Sequence, residues 1–106
     1  MNIVNNNNQT ALHLAAYQGH SDVMKELLGC KADVNVRDKN GKTPLRIAAK
    51  YGYLNAVKTC STYGAYVNLK DFDNKTALHY AGALTGYFWA EYKEQIIALL
   101  QKTCQN

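Results

Sequence analysis

Three histidines and three cysteines are the residues of this chain whose types are suited to chemistry. Imidazole and thiolate are zinc ligands, and together they serve as base and nucleophile in covalent catalysis. Their spacing here suits neither use. Cys30, Cys60 and Cys104 form no CxxC pair and leave one thiol over, which argues against a zinc site or a disulfide framework and fits a reducing compartment. His13 and His79 each stand three residues after a threonine, and His20 follows a glycine. No Ser/His/Asp or Cys/His arrangement emerges, and no GxGxxG or GxxxxGK[ST] loop offers a phosphate cradle. The expectation is a protein that is not an enzyme and needs no cofactor or metal.

Composition narrows the class further. The 106 residues are 47% hydrophobic and 19% charged, which predicts one soluble globular domain spanning 1–106. No apolar run approaches the ~20 residues of a membrane span, and the first residues do not open a signal peptide. A cytoplasmic location is expected, with the nucleus, or a host cytosol for a secreted effector, as alternatives. Twelve Lys+Arg against eight Asp+Glu give a net charge of +4, which permits an acidic partner without demanding one.

The elements that must position these residues are set by a repeat. Thr10-Ala11-Leu12-His13-Leu14-Ala15-Ala16 returns as Thr43-Pro44-Leu45-Arg46-Ile47-Ala48-Ala49, and again as Thr76-Ala77-Leu78-His79-Tyr80-Ala81-Gly82. Ala32-Asp33-Val34-Asn35 returns as Ala65-Tyr66-Val67-Asn68, and Gly19 as Gly52. Each return falls 33 residues after the last. Two independent blocks locked to one period specify a repeat architecture.

Within one unit the local signals agree. Thr43 followed by Pro44 starts a helix, because the hydroxyl caps free amides and proline loses nothing at the first position. Gly52 ends it, since glycine accepts the left-handed conformation after the last turn. Val23, Met24, Leu27 and Leu28 form one apolar face of a second helix. Asp38-Lys39-Asn40-Gly41 is a turn.

With this period and these blocks, the chain resembles the ankyrin repeat family, whose 33-residue unit carries T-P-L-H-x-A. The resemblance covers nearly the whole chain, as repeats at about 5–37, 38–70 and 71–104. It implies an all-α solenoid of stacked helix-turn-helix units with hairpin-like tips. It also implies a structural role for His13 and His79, which would bond the capping threonine and tie adjacent repeats together, and for His20. Arg46 breaks that pattern in the middle repeat.

Other departures carry expectations. Asn8 and Asn74 stand where Gly41 stands and should keep the left-handed turn. Lys31 occupies the position of Gly64, at a cost of about 1 kcal/mol if its φ is positive. Cys60 and Ser61 replace Leu27-Leu28, so the second repeat should pack least well. In the third repeat, aligning Val23 with Ile96 implies seven inserted residues. They bring Tyr87, Phe88, Trp89 and Tyr92, either as a cap on the last repeat or as a second interface. The start leaves two readings open: a short protein, or the C-terminal ankyrin portion of a longer array, a larger enzyme or a host-directed effector.

The resemblance implies a binding surface on the concave side, made by tips and first helices. By repeat phase the tips supply Arg37, Lys39, Asn40, Lys42, Lys70, Phe72, Asp73 and Lys75. The first helices supply Tyr17, Gln18, Lys50 and Tyr51, with Ala83 and Leu84 from the third. This basic, aromatic-bearing set suits another protein, in particular an acidic segment. Asp38, Asp71 and Asp73 interrupt the basic row and argue against nucleic acid or anionic lipid. A monomer is expected, with self-association through the aromatic insertion as the alternative.

Overall fold

A computed structural model describes residues 4–82 and 87–104, with side chains over 4–81 and 93–101. Six helices follow one another in three pairs: α1 (Ala11–Gln18) with α2 (Ser21–Gly29), α3 (Pro44–Tyr51) with α4 (Leu54–Thr62), and α5 (Ala77–Gly82) with α6 (Tyr87–Cys104). The first helices stack on one another, with α3 between α1 and α5, and the second helices stack behind them with α4 between α2 and α6. Among the described residues no strand occurs.

The capping chemistry recurs at the repeat period. The Thr10 and Thr43 hydroxyls accept the amides of His13 and Arg46 at 3.4 and 3.2 Å, closing the first turns of α1 and α3. Gly19 and Gly52 take left-handed conformations at φ 68° and 71° and end those helices. Space as well as φ demands glycine at the first site: a Cβ on Gly19 would lie 2.9 Å from the Tyr53 ring of the next repeat. Buried faces of Leu12, Ala16, Met24, Leu45, Ile47, Ala49, Val57, Ile96 and Leu100 join into one continuous core. Small alanines on α1 and α3 let the stacked helices come close.

The left-handed positions fall where expected, at Asn8 (φ 61°), Gly41 (φ 77°) and Asn74 (φ 65°), and Lys31 is held at φ 70°. Cys60 is fully buried, and burial pushes its thiol up to about 12, so it is a core residue without thiolate character. The Ser61 hydroxyl is buried with no hydrogen-bond partner. Ile47, Ala56, Val57 and Cys60 of the second repeat are nevertheless fully buried, against the looser packing expected there, because that repeat has a neighbour on each side.

The third repeat is shifted by one residue from the alignment above. Ile96 and Leu100 are buried and Gln95 is exposed, in the phase of Met24, Leu28 and Val23. That phase displaces the last helix by 72 residues, so six are inserted rather than seven. Hydrophobicity misled the alignment, because Ile97 is apolar yet stands where the exposed Lys25 stands in α2. Ala83 and Leu84 lie outside the described residues, as do the side chains of Tyr87, Phe88, Trp89 and Tyr92.

Candidate protein-binding face

The tips are built by one carboxylate or amide per repeat. Asp38 Oδ1 accepts the amides of Asn40 and Lys42 at 2.8 and 2.9 Å, and Asp71 Oδ1 those of Asp73 and Lys75 at 2.9 and 3.0 Å. Asn5 Oδ1 does the same for Asn7 and Gln9 at 2.9 and 3.0 Å. The 33-residue spacing of Asn5, Asp38 and Asp71 was readable in the sequence but hidden by the change from amide to acid. Neighbouring tips are laced together: the Lys39 amide donates to Asn7 O at 2.9 Å, and the Phe72 amide to Asn40 O at 3.1 Å.

This geometry corrects the interrupted basic row. Asp38 and Asp71 are buried in their own turns, and Asp73 alone of the three is exposed. Arg37, Lys39, Asn40, Lys70, Phe72 and Lys75 are exposed at the tips, whereas Lys42 is half-buried. Phe72 lies against the Gly41 backbone, where an added Cβ would meet its ring at 2.7 Å, while most of its surface faces solvent.

At the ends of the first helices a second group assembles. The Tyr17 and Tyr51 rings lie 6.0 Å apart and tilted, and Lys50 Nζ is 5.7 Å from the Tyr51 ring. Tyr53 joins them, its ring 6.0 Å from that of Tyr51. Sequence reasoning missed Tyr53 because it begins a second helix, and its ring reaches the first-helix face through the open space above Gly19. Gln18 is turned aside, its Oε1 2.9 Å from His20 Nε2.

Behind this face, a groove of about 410 Å³ between α2 and α4 presents Lys25 and Lys58, one repeat apart. The hydroxyls of Thr59 and Thr62 in it donate to helix carbonyls at 2.9 Å and are not available as donors to an anion.

Of the histidines, His13 is a tie between repeats, whereas His20 and His79 are exposed and bond Gln18 and Thr76 within their own repeats. The Thr10 amide donates to His13 Nδ1 at 3.1 Å, which leaves the ring proton on Nε2, and Nε2 donates to Lys42 O of the next repeat at 2.8 Å. Among the described residues, no group of three or more His, Cys, Asp or Glu is placed to hold a metal ion.

A family model described as ankyrin repeats (3 copies) matches residues 12–105. The chain belongs to the ankyrin repeat family. No curated protein matches the sequence. Ankyrin repeats are in general protein–protein interaction modules and typically do no catalysis.

Against the ankyrin pattern, the junction between repeats two and three is rebuilt around Arg46. Its Nε donates to Asp71 Oδ2 at 3.2 Å with both side chains buried, and its guanidinium lies 3.9 Å from the centre of the Tyr80 ring. The Tyr80 hydroxyl donates to the same Asp71 oxygen at 2.5 Å. Burial alone would raise the Asp71 carboxyl. Hydrogen bonds from Tyr80, the Lys75 amide, Arg46 and the Asp73 amide outweigh it and hold the group below the usual carboxylate range. Burial and the bond to Asp71 raise Tyr80. No helix among the described residues is long and apolar enough to cross a membrane.

Proposed function

We propose that this ankyrin domain is an adaptor, scaffold or inhibitor that docks an acidic segment of another protein across its tips and first helices. The observation that carries the reading is the aromatic and cationic group of Tyr17, Lys50, Tyr51 and Tyr53, with Phe72 as a second exposed anchor. Rigid aromatic rings lose little entropy on binding and exclude water from nearby charge pairs, so they concentrate affinity. Arg37, Lys39, Lys70 and Lys75 at the rim steer an acidic chain toward them. The tip geometry also favours a second reading, binding to nucleic acid or anionic lipid, because the inward turn of Asp38 and Asp71 leaves the lysines less neutralised at the surface.

Capture from lysate with the wild type and with Tyr51→Ala/Phe72→Ala tests the face. The expected result is loss of a specific protein, with affinity falling about 30-fold or more for an anchor worth ~2 kcal/mol. Equal recovery by both would remove the proposal. Salt separates the two readings: phosphate contacts weaken steeply between roughly 50 and 200 mM, whereas an aromatic-anchored interface changes little.

A further inference from the structure

The second and third tips are built alike and anchored differently. Asp38 and Asp71 each gather two tip amides on Oδ1. At the foot of the second tip the tie from the preceding repeat, His13 Nε2, reaches a backbone carbonyl, Lys42 O, at 2.8 Å. At the third tip the residue one period on, Arg46, reaches the tip-forming side chain itself, its Nε donating to Asp71 Oδ2 at 3.2 Å. The Tyr80 hydroxyl donates to the same oxygen, whereas its counterpart in α3 is Ile47, which has no side-chain donor. Tyr80 is itself held by cations, with the Arg46 guanidinium 3.9 Å and Lys75 Nζ 5.8 Å from its ring centre. A carboxylate bonded through both oxygens cannot rotate without giving up a bond. The turn formed on Oδ1 therefore inherits the orientation fixed on Oδ2.

The tip locked in this way is the one that carries Phe72. This residue follows Asp71 directly and is 71% exposed. Its amide donates to Asn40 O at 3.1 Å and its ring rests on the Gly41 backbone, so the second tip grips it on one side and the Asp71 turn on the other. An aromatic anchor already in place loses less entropy when a partner covers it.

We propose that Arg46 and Tyr80 are positioning residues for the binding face: acting through Asp71, they hold the third tip so that Phe72 is preorganised for a partner. The inference rests on the reading of Phe72 as an anchor and adds two residues behind it. Arg46 is buried and Tyr80 half-buried, so their influence on binding passes through the tip. By linkage, a partner seated on Phe72 steadies the junction in turn.

Tyr80→Phe in the full chain tests this, because it removes the hydroxyl and keeps the ring beside Arg46. Backbone amide relaxation by NMR reads the tip with no partner present. In the wild type, Phe72, Asp73 and Lys75 are expected to be rigid, with order parameters of about 0.85. In Tyr80→Phe these should fall toward roughly 0.6, while Lys39 and Asn40 of the second tip stay rigid. Binding is read by fluorescence anisotropy with a labelled peptide in which glutamates flank one phenylalanine. Tyr80→Phe should weaken it about fivefold, and Phe72→Ala by more. In the double variant the effect of Tyr80→Phe should vanish, whereas a general loss of stability would add to that of Phe72→Ala. Melting curves give the folded fraction of each variant.

Third-tip amides that stay as rigid in Tyr80→Phe as in the wild type overturn the proposal, and so do additive losses of affinity. A wild type that does not bind the peptide, or binds it equally well after Phe72→Ala, overturns the anchor reading and takes the role in binding with it. Loss of tip order in that case shows that the anchor failed and the positioning did not.

Discussion

The two repeat junctions solve one problem with different chemistry. Between repeats one and two, a neutral imidazole donates to a backbone carbonyl, His13 to Lys42 O. Between repeats two and three, at the same position of the cycle, Arg46 meets a buried carboxylate, Asp71, which also holds Tyr80. A neutral hydrogen bond forfeits little when one partner goes, because the remaining group is an amide carbonyl with a second donor. A buried ion pair leaves an uncompensated charge when broken, and that penalty is larger than the net worth of the pair. Asp71 is also the residue that shapes the third tip, so one side chain couples the tip to the junction.

The largest effect should therefore come from Asp71→Asn, which strands Arg46 and weakens the tip together. The expected loss is about 3–5 kcal/mol, against about 1–3 kcal/mol for His13→Gln at the other junction. Denaturant unfolding measures both, and comparable losses would show that the ion pair has no special weight. Hydrogen exchange adds the location: Asp71→Asn should release α5 amides first and leave α3 protected.

Acid should separate the junctions next. Asp71 has its carboxyl lowered in the folded state, so its contribution is present above the ordinary carboxylate pKa and is lost as pH falls through the lowered folded value. Protection of α5 should thus decline below about pH 4 in the wild type. Asp71→Asn should lack that part of the pH dependence, and an unchanged acid profile in the variant would place the titration elsewhere.

The smallest effects should be gains within single repeats. Ser61→Ala removes a buried hydroxyl that has no partner, and Lys31→Gly relieves a side chain held at φ 70°. Each is expected to stabilise by about 1 kcal/mol. The two sites lie in different repeats, and their effects are expected to add when combined, which thermal melts of the double variant would check.

Much of this was legible along the chain because its causes are local. Thr43 before Pro44, Gly52 after α3 and the left-handed sites at Asn8, Gly41 and Asn74 depend on a few neighbouring residues. The 33-residue period extends those local rules to the whole stack. The burial of Cys60 followed from its phase on α4 for the same reason. The register of α6 was not legible, since Ile96 and Ile97 are equally apolar and packing against α4 and α5 is what chose between them.

The candidate site divides the same way. Tyr17, Lys50 and Tyr51 could be placed together by counting repeat phase, because stacking carries equivalent positions into contact. Tyr53 could not, as its ring enters the group from a second helix through the gap left by Gly19. The inward turn of Asp38 and Asp71 depends on turn geometry, and the bond from Arg46 to Asp71 spans 25 residues. By itself the sequence determined the repeat, its caps and its left-handed turns, all of which arise within a few residues. Only the tertiary structure decided which charges remain at the surface and which lock the junctions, because both depend on what the neighbouring repeat brings within hydrogen-bond reach.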